Sequence, residues 1–188
     1  MTGNAFPLVS MLAQATQPAA TASNIWQLLG QMGGPLALGL AGIGSSVGIG
    51  VAGRAAAGAW SKEAKAGVGL RFTYIILLGM PISQTLYAMI VMNKIKGVLM
   101  KALDSGGTVV RAGMTADFAG VLLAVGIGTG IAEMFSAWMQ GNIGAAGIRA
   151  ISEGEGKGFA FLIIAMGIVE TVGIFAMVFM LGMIPTAG

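Results

Sequence analysis

A carboxylate in the middle of a long apolar run is the first place to look for chemistry in this chain. Glu170 stands in Phe161-Leu-Ile-Ile-Ala-Met-Gly-Ile-Val-Glu170-Thr-Val-Gly-Ile-Phe-Ala-Met-Val-Phe179. An acid at the centre of a membrane span costs about 2.5–3.5 kcal/mol on insertion scales, so such residues are rare and mark ion or proton pathways. The plainer reading is a protonated Glu that hydrogen-bonds a neighbouring helix. Polar groups elsewhere weigh against it. Met80, Ser83, Gln84 and Tyr87 recur at i, i+3, i+4 and i+7, which places them on one helical face. They offer a hydroxyl, an amide and a phenol to one point. Pro81 has no N–H to donate, so it loosens its turn and frees an upstream carbonyl. Gln140, in another apolar stretch, adds a second amide. One carboxylate, two amide oxygens, a hydroxyl and a loosened carbonyl make an all-oxygen shell, the set a hard cation prefers. A single negative charge in that shell balances a monovalent ion better than a divalent one. The pattern therefore points to Na⁺ or H⁺.

These residues need elements to carry them, and composition says which. The chain of 188 residues is 56% hydrophobic and 9% charged, far below the roughly 25% charge of a soluble domain. Its apolar runs are therefore read as transmembrane helices, each needing about 20 residues. Four are expected, from about Ile25 to Ala57, Leu70 to Met92, Phe118 to Ala150 and Gly158 to Ile184. Trp26 reads as an interfacial anchor of the first. Without Cys or His there is no thiolate or imidazole site. The net charge of +3 comes from Lys and Arg at helix ends, a topology signal and no nucleic-acid surface.

Arg54, Lys62, Lys65, Arg71, Arg149 and Lys157 fall in or near the two hairpin links, and Lys94, Lys96, Lys101 and Arg111 in the central connection. The excess of positive charge at the hairpin links predicts cytoplasmic hairpin loops and termini outside. The two halves resemble each other: Met80-Pro-Ile-Ser-Gln84-Thr85 matches Met166-Gly-Ile-Val-Glu170-Thr171. The expected fold is an all-α membrane protein of two tandem duplicated helical hairpins that point the same way; inverted halves would suggest a secondary transporter. Residues 1–23 form an N-terminal extension, 24–98 the first hairpin and 115–185 the second, which bears the carboxylate. The first and third spans are rich in Gly on several faces, from Gly42 to Gly53 and from Gly126 to Gly147. Gly costs about 1 kcal/mol in a helix in water, but in a membrane it lets backbones approach closely. Crowding from several sides suits the inner layer of a tight oligomeric ring.

Gly42-Ile-Gly-Ser-Ser-Val-Gly-Ile-Gly-Val-Ala-Gly-Arg-Ala-Ala-Ala57, Pro81-Ile-Ser-Gln-Thr-Leu-Tyr87, Gln140-Gly-Asn-Ile-Gly-Ala-Ala-Gly-Ile148 and Val169-Glu-Thr171 together resemble the four helices of the K (proteolipid) subunit of bacterial V-type ATPases. The likeness runs from about residue 35 to 185. It implies a non-catalytic rotor-ring subunit of the cell (inner) membrane that carries one Na⁺ per subunit, with H⁺ as the alternative cargo. By that likeness Glu170 is the charged ligand. Ser83, Gln84 and Gln140 supply side-chain oxygens, Met80 its backbone carbonyl, and Tyr87 hydrogen-bonds the carboxylate. Ser replaces the family's usual Thr at position 83 and Met its usual Leu at position 80. The implied partners are identical subunits in the ring, a stator membrane subunit (a/I type) with an Arg, central-stalk subunits and lipid. No Gly-x-x-x-x-Gly-Lys-[Ser/Thr] run occurs, so ATP is expected to be hydrolysed elsewhere in a complex. A stand-alone channel and a structural membrane scaffold are the rivals from other classes.

Glu133 is a second acid, two turns before Gln140. It is expected as a rim carboxylate touching water or headgroups, with a second ion site or an exit-path residue as the other readings.

Overall fold

The computed structural model describes residues 19–101 and 116–185, side chains at 19–24, 27 and 101 apart. The chain forms α1 (Ala19–Lys65), α2 (Thr73–Gly79), a 3₁₀ turn (Met80–Ile82), α3 (Ser83–Lys101), α4 (Ala116–Glu153) and α5 (Phe159–Met183), and no strand among the described residues. Four segments are long and apolar enough to cross a membrane: Leu28–Lys65, Thr73–Met100, Ala116–Glu153 and Phe159–Met183. The expected N-terminal extension and Arg111 of the central connection lie largely outside the described residues.

The helices run longer than the apolar stretches. α1 continues past Ala57 to Lys65 and α4 past Ala150 to Glu153. At about 1.5 Å per residue, their 38-residue spans exceed the hydrocarbon thickness, so their ends project toward water. Lys62 and Lys65 close α1, where cations offset the negative end of the helix dipole. The first loop is tied down there. Arg71 pairs with Glu63, which also accepts from the Tyr74 hydroxyl at 2.6 Å, and Trp60 Nε1 donates to the Arg71 carbonyl at 2.9 Å. The second loop turns through positive φ at Glu155, Gly156 and Gly158, and Gly156 lies beside the Arg71 side chain. Both hairpin loops therefore share one end of the molecule.

α1 and α4 form the most extensive pairing, and glycines make it so close. A Cβ added at Gly126 would fall on the Gly33 backbone, one at Gly44 on Met134, and one at Gly141 on Gly48. These partners rise together along both helices, so α1 and α4 run parallel and the two hairpins point the same way, as the repeat predicts. Dispersion between touching backbones is what such an interface gains in lipid.

The larger side chains belong to the other spans. α5 has the highest mean hydropathy, 2.4, yet only 11% of its most apolar stretch is buried. Phe161, Ile168, Phe175 and Phe179 stand well exposed. Such a surface must be covered by lipid or by neighbouring molecules. Inside, one apolar cluster (Ala52, Tyr74, Leu77, Ile148, Met166) lies toward the loops. Another (Val91, Ile95, Leu122, Val125, Ile184) lies at the far end. The polar residues sit in the layer between them.

Candidate functional site

The site begins at Pro81. Without a Pro N–H the helix cannot keep its regular ladder, and the chain tightens into the 3₁₀ turn Met80–Ile82. The Met80 carbonyl then accepts the Ser83 N–H and, at 3.0 Å, the Ser83 hydroxyl. α1 braces the turn: Ser45 Oγ donates to the Pro81 carbonyl and receives Thr85 Oγ1 at 2.7 Å. The break thus leaves Ser83, Gln84 and Tyr87 in a fixed register on the first turns of α3.

The expected residues do come together. Tyr87 Oη donates to Glu170 Oε1 at 2.7 Å. Gln140 Nε2 makes long contacts with Glu170 Oε2 at 3.5 Å and with the Met166 carbonyl at 3.4 Å. Ser83 Oγ also reaches Gln84 Oε1 at 3.2 Å. Gln84 and Gln140 are fully buried, while Glu170, Ser83 and Tyr87 are half-buried at the flank of the molecule.

Ser136 is a member that the sequence pattern did not single out. It receives Gln84 Nε2 at 3.3 Å and donates to the Val169 carbonyl at 3.1 Å, so it links α3 to α5 through α4. A signal existed: Thr129, Glu133, Ser136 and Gln140 recur at i, i+4, i+7 and i+11, a polar stripe along one face of α4.

Glu133 departs from its expected place. It is no rim carboxylate. The side chain is fully buried, in the same polar layer, and packs against Gly173 of α5 so tightly that a Cβ there would meet Glu133 Oε2. Small neighbours on α5 leave room for an acid inside the hairpin.

Two electrostatic facts define what the arrangement can do. Among the described residues the one ion pair is Arg71–Glu63, so no cationic side chain balances Glu170. Gln140 Oε1 is buried and has no hydrogen-bond partner, although the Nε2 side of the same amide is engaged. An orphaned buried oxygen is costly. Here it sits in the same cluster as a carboxylate, an amide oxygen on Gln84, a hydroxyl on Ser83 and the Met80 carbonyl. All are lone-pair donors, the chemistry that suits a small hard cation.

The family model for the C subunit of ATP synthase matches the chain twice, over residues 32–93 and 123–183. The two matches coincide with the two hairpins and together cover most of the chain. No curated protein matches it.

Proposed function

Since the chain belongs to the ATP synthase C-subunit family of membrane rotor-ring, ion-translocating proteins, we propose that it serves a V-type rotary ATPase and carries one Na⁺ per subunit at Glu170. The observation that carries this reading is the pairing of an unbalanced membrane carboxylate with an unpartnered amide oxygen, Gln140 Oε1. A proton would be satisfied by the carboxyl alone. The unpartnered oxygen of Gln140, with the oxygens of Gln84, Ser83 and Met80 in the same layer, suits a cargo that takes several ligands. On this reading the first hairpin (24–98) supplies three of them and the second (115–185) the charge and the fourth.

The mechanism follows from charge in a low dielectric. An ionised Glu170 facing lipid is costly, whereas a Glu170–Na⁺ pair is close to neutral. A loaded subunit passes through lipid and an empty one does not. Tyr87 and Gln140 hold the carboxylate's two oxygens, so its orientation is set before the ion arrives. At the stator membrane subunit, an Arg stabilises the emptied carboxylate and releases the ion, and offset aqueous paths convert rotation into net transport. ATP is hydrolysed by the soluble part of the complex, joined through central-stalk subunits.

Ring formation has support in α1. Besides the face that meets α4, the helix carries Gly39, Gly42, Ser46, Gly50 and Gly53 at i, i+3, i+7, i+11 and i+14. An added Cβ at Gly39, Gly42 or Gly53 would meet nothing within 4 Å among the described residues. A second helix can approach this stripe closely, and an identical subunit is the partner we assign. The exposed apolar side chains of α5 face lipid and neighbouring copies. The hairpin loops lie on the cytoplasmic side of the cell membrane.

Gln84 stands in the first hairpin where Glu170 stands in the second, so the cargo shell has one carboxylate per four helices. Fewer ions per turn leave more ATP free energy for each, against about 2.3 kcal/mol per charge per 100 mV. That favours pumping over synthesis. The test is ATP-driven ²²Na⁺ uptake by the complex in proteoliposomes. Uptake that persists with a protonophore present is expected. ATP-driven acidification without Na⁺ uptake would transfer the same rotor role to H⁺, and ion flux through the isolated chain would favour a channel.

A further inference from the structure

Glu133 is not used by the mechanism above, yet its surroundings are as specific as those of Glu170. Both of its carboxylate oxygens are buried and without a hydrogen-bond partner, and so is Thr129 Oγ1, one turn earlier on the same face of α4. Both residues are 0% exposed. Across from them, Gly173 removes the side chain that would collide with Glu133 Oε2, and the same spot lies 3.3 Å from Ser136 Oγ. Glu133 Oε2 and the Ser136 hydroxyl thus lie beside a glycine, with Thr129 Oγ1 one turn away on the same face of α4. The ionisable groups that face Glu133 are Glu170 on α5 and Tyr87 on α3. α1 has no ionisable residue before Arg54. Among the described residues no cation of the protein is at hand.

We propose that Thr129, Glu133 and Ser136 form a second monovalent-cation site, for Na⁺, one helical turn along α5 from Glu170. A carboxylate buried in a membrane helix is tolerated only when its charge is cancelled. A proton would cap one oxygen of Glu133 and leave the other, and the Thr129 hydroxyl, unpartnered. A small cation engages all of them at once. With one negative charge and neutral hydroxyls, the site matches a monovalent ion and leaves a divalent one unbalanced. Its placement sets its role. Glu170 lies at the flank, where a stator can reach it, whereas Glu133 lies inside the hairpin. The second ion is therefore resident: it stays with the subunit through the turn and adds nothing to the ions moved per ATP. Ser136 joins the two sites, because its hydroxyl also receives Gln84 Nε2.

The test counts ²²Na⁺ bound per chain in the full-length protein purified in detergent in its assembled form. Two ions per chain are expected, one exchanging quickly and one slowly. Glu133→Gln keeps the side-chain shape, removes the charge and should reduce the count to one by deleting the slow ion. Gly173→Ala, which pushes a Cβ into Glu133 Oε2, should do the same, and Glu170→Gln should delete the fast ion. A wild-type count of one that Glu133→Gln leaves unchanged and Glu170→Gln abolishes would overturn this proposal and leave the rotor cargo as Na⁺. A single ion lost in Glu133→Gln but kept in Glu170→Gln would uphold it and remove Na⁺ from Glu170. No bound Na⁺ at all would overturn both.

Discussion

Glu170→Gln is expected to abolish ion transport while the subunits still assemble. Glutamine preserves the volume and can still accept from Tyr87 and contact Gln140, so the packing of α3, α4 and α5 around it should survive. What it removes is the one negative charge in the cargo shell. Breaking a buried ion pair by deleting one partner costs about 3–5 kcal/mol, which corresponds to Na⁺ affinity weakened roughly 100- to 1,000-fold or more. An uncharged side chain is also comfortable in lipid whether or not an ion is bound, so the coupling between loading and rotation is lost. Native electrophoresis reports assembly and ²²Na⁺ uptake reports transport. Uptake near the wild-type rate in this variant would refute the assignment of Glu170.

The second large effect belongs to Gln140→Leu. Leucine fills a similar volume but takes away the unpartnered oxygen and the amide N–H that reaches Glu170 Oε2. A hydrogen bond to a charged group contributes about 1.5–3 kcal/mol, and a lost ligand adds to that. Na⁺ affinity should fall by about 10- to 100-fold, with the maximal rate at saturating Na⁺ largely retained, because Glu170 still supplies the charge. The concentration of Na⁺ that gives half-maximal ATP-driven uptake measures it. An unchanged value would mean that the amide is a packing element and that the carboxyl alone handles the cargo, as a proton carrier would.

These two residues are legible from the sequence alone, and the reason is instructive. An acid or an amide in a run of Leu, Ile, Val and Phe is conspicuous because lipid penalises it. Four spans and their parallel pairing are likewise readable, since hydropathy marks each span and the internal repeat requires both hairpins to face one way. The ends of α1 and α4 are not readable that way. Hydropathy senses the thickness of hydrocarbon, whereas Ser61-Lys-Glu-Ala-Lys65 continues the helix beyond it on helix propensity and on the tie of Glu63 to Arg71 and Tyr74. Ser136 is hidden by its size, because a small serine in Met-Phe-Ser136-Ala-Trp reads as a packing residue. Glu133 is misplaced for a related cause. Small residues surround α4 on most sides, so its sequence carries little contrast between a buried and an exposed face. Which face is buried depends on Gly173 of another helix, a fact of tertiary packing.

Pro81 shows how a local signal becomes a global one. The missing N–H predicts a distorted turn, and the 3₁₀ segment is that distortion. Its consequence is visible only in three dimensions: Ser45 of α1 fastens the Pro81 carbonyl, so the register of Ser83, Gln84 and Tyr87 is set jointly by α1 and the break. The polar layer around Glu170 therefore draws on every span.

Carboxyl-directed labelling by a hydrophobic carbodiimide tests the ion assignment most directly. If Glu170 holds Na⁺, the reagent modifies Glu170, Na⁺ slows the modification in proportion to its occupancy, and K⁺ at the same concentration does not. Labelling of Glu170 that ignores Na⁺ and responds to pH alone would contradict it.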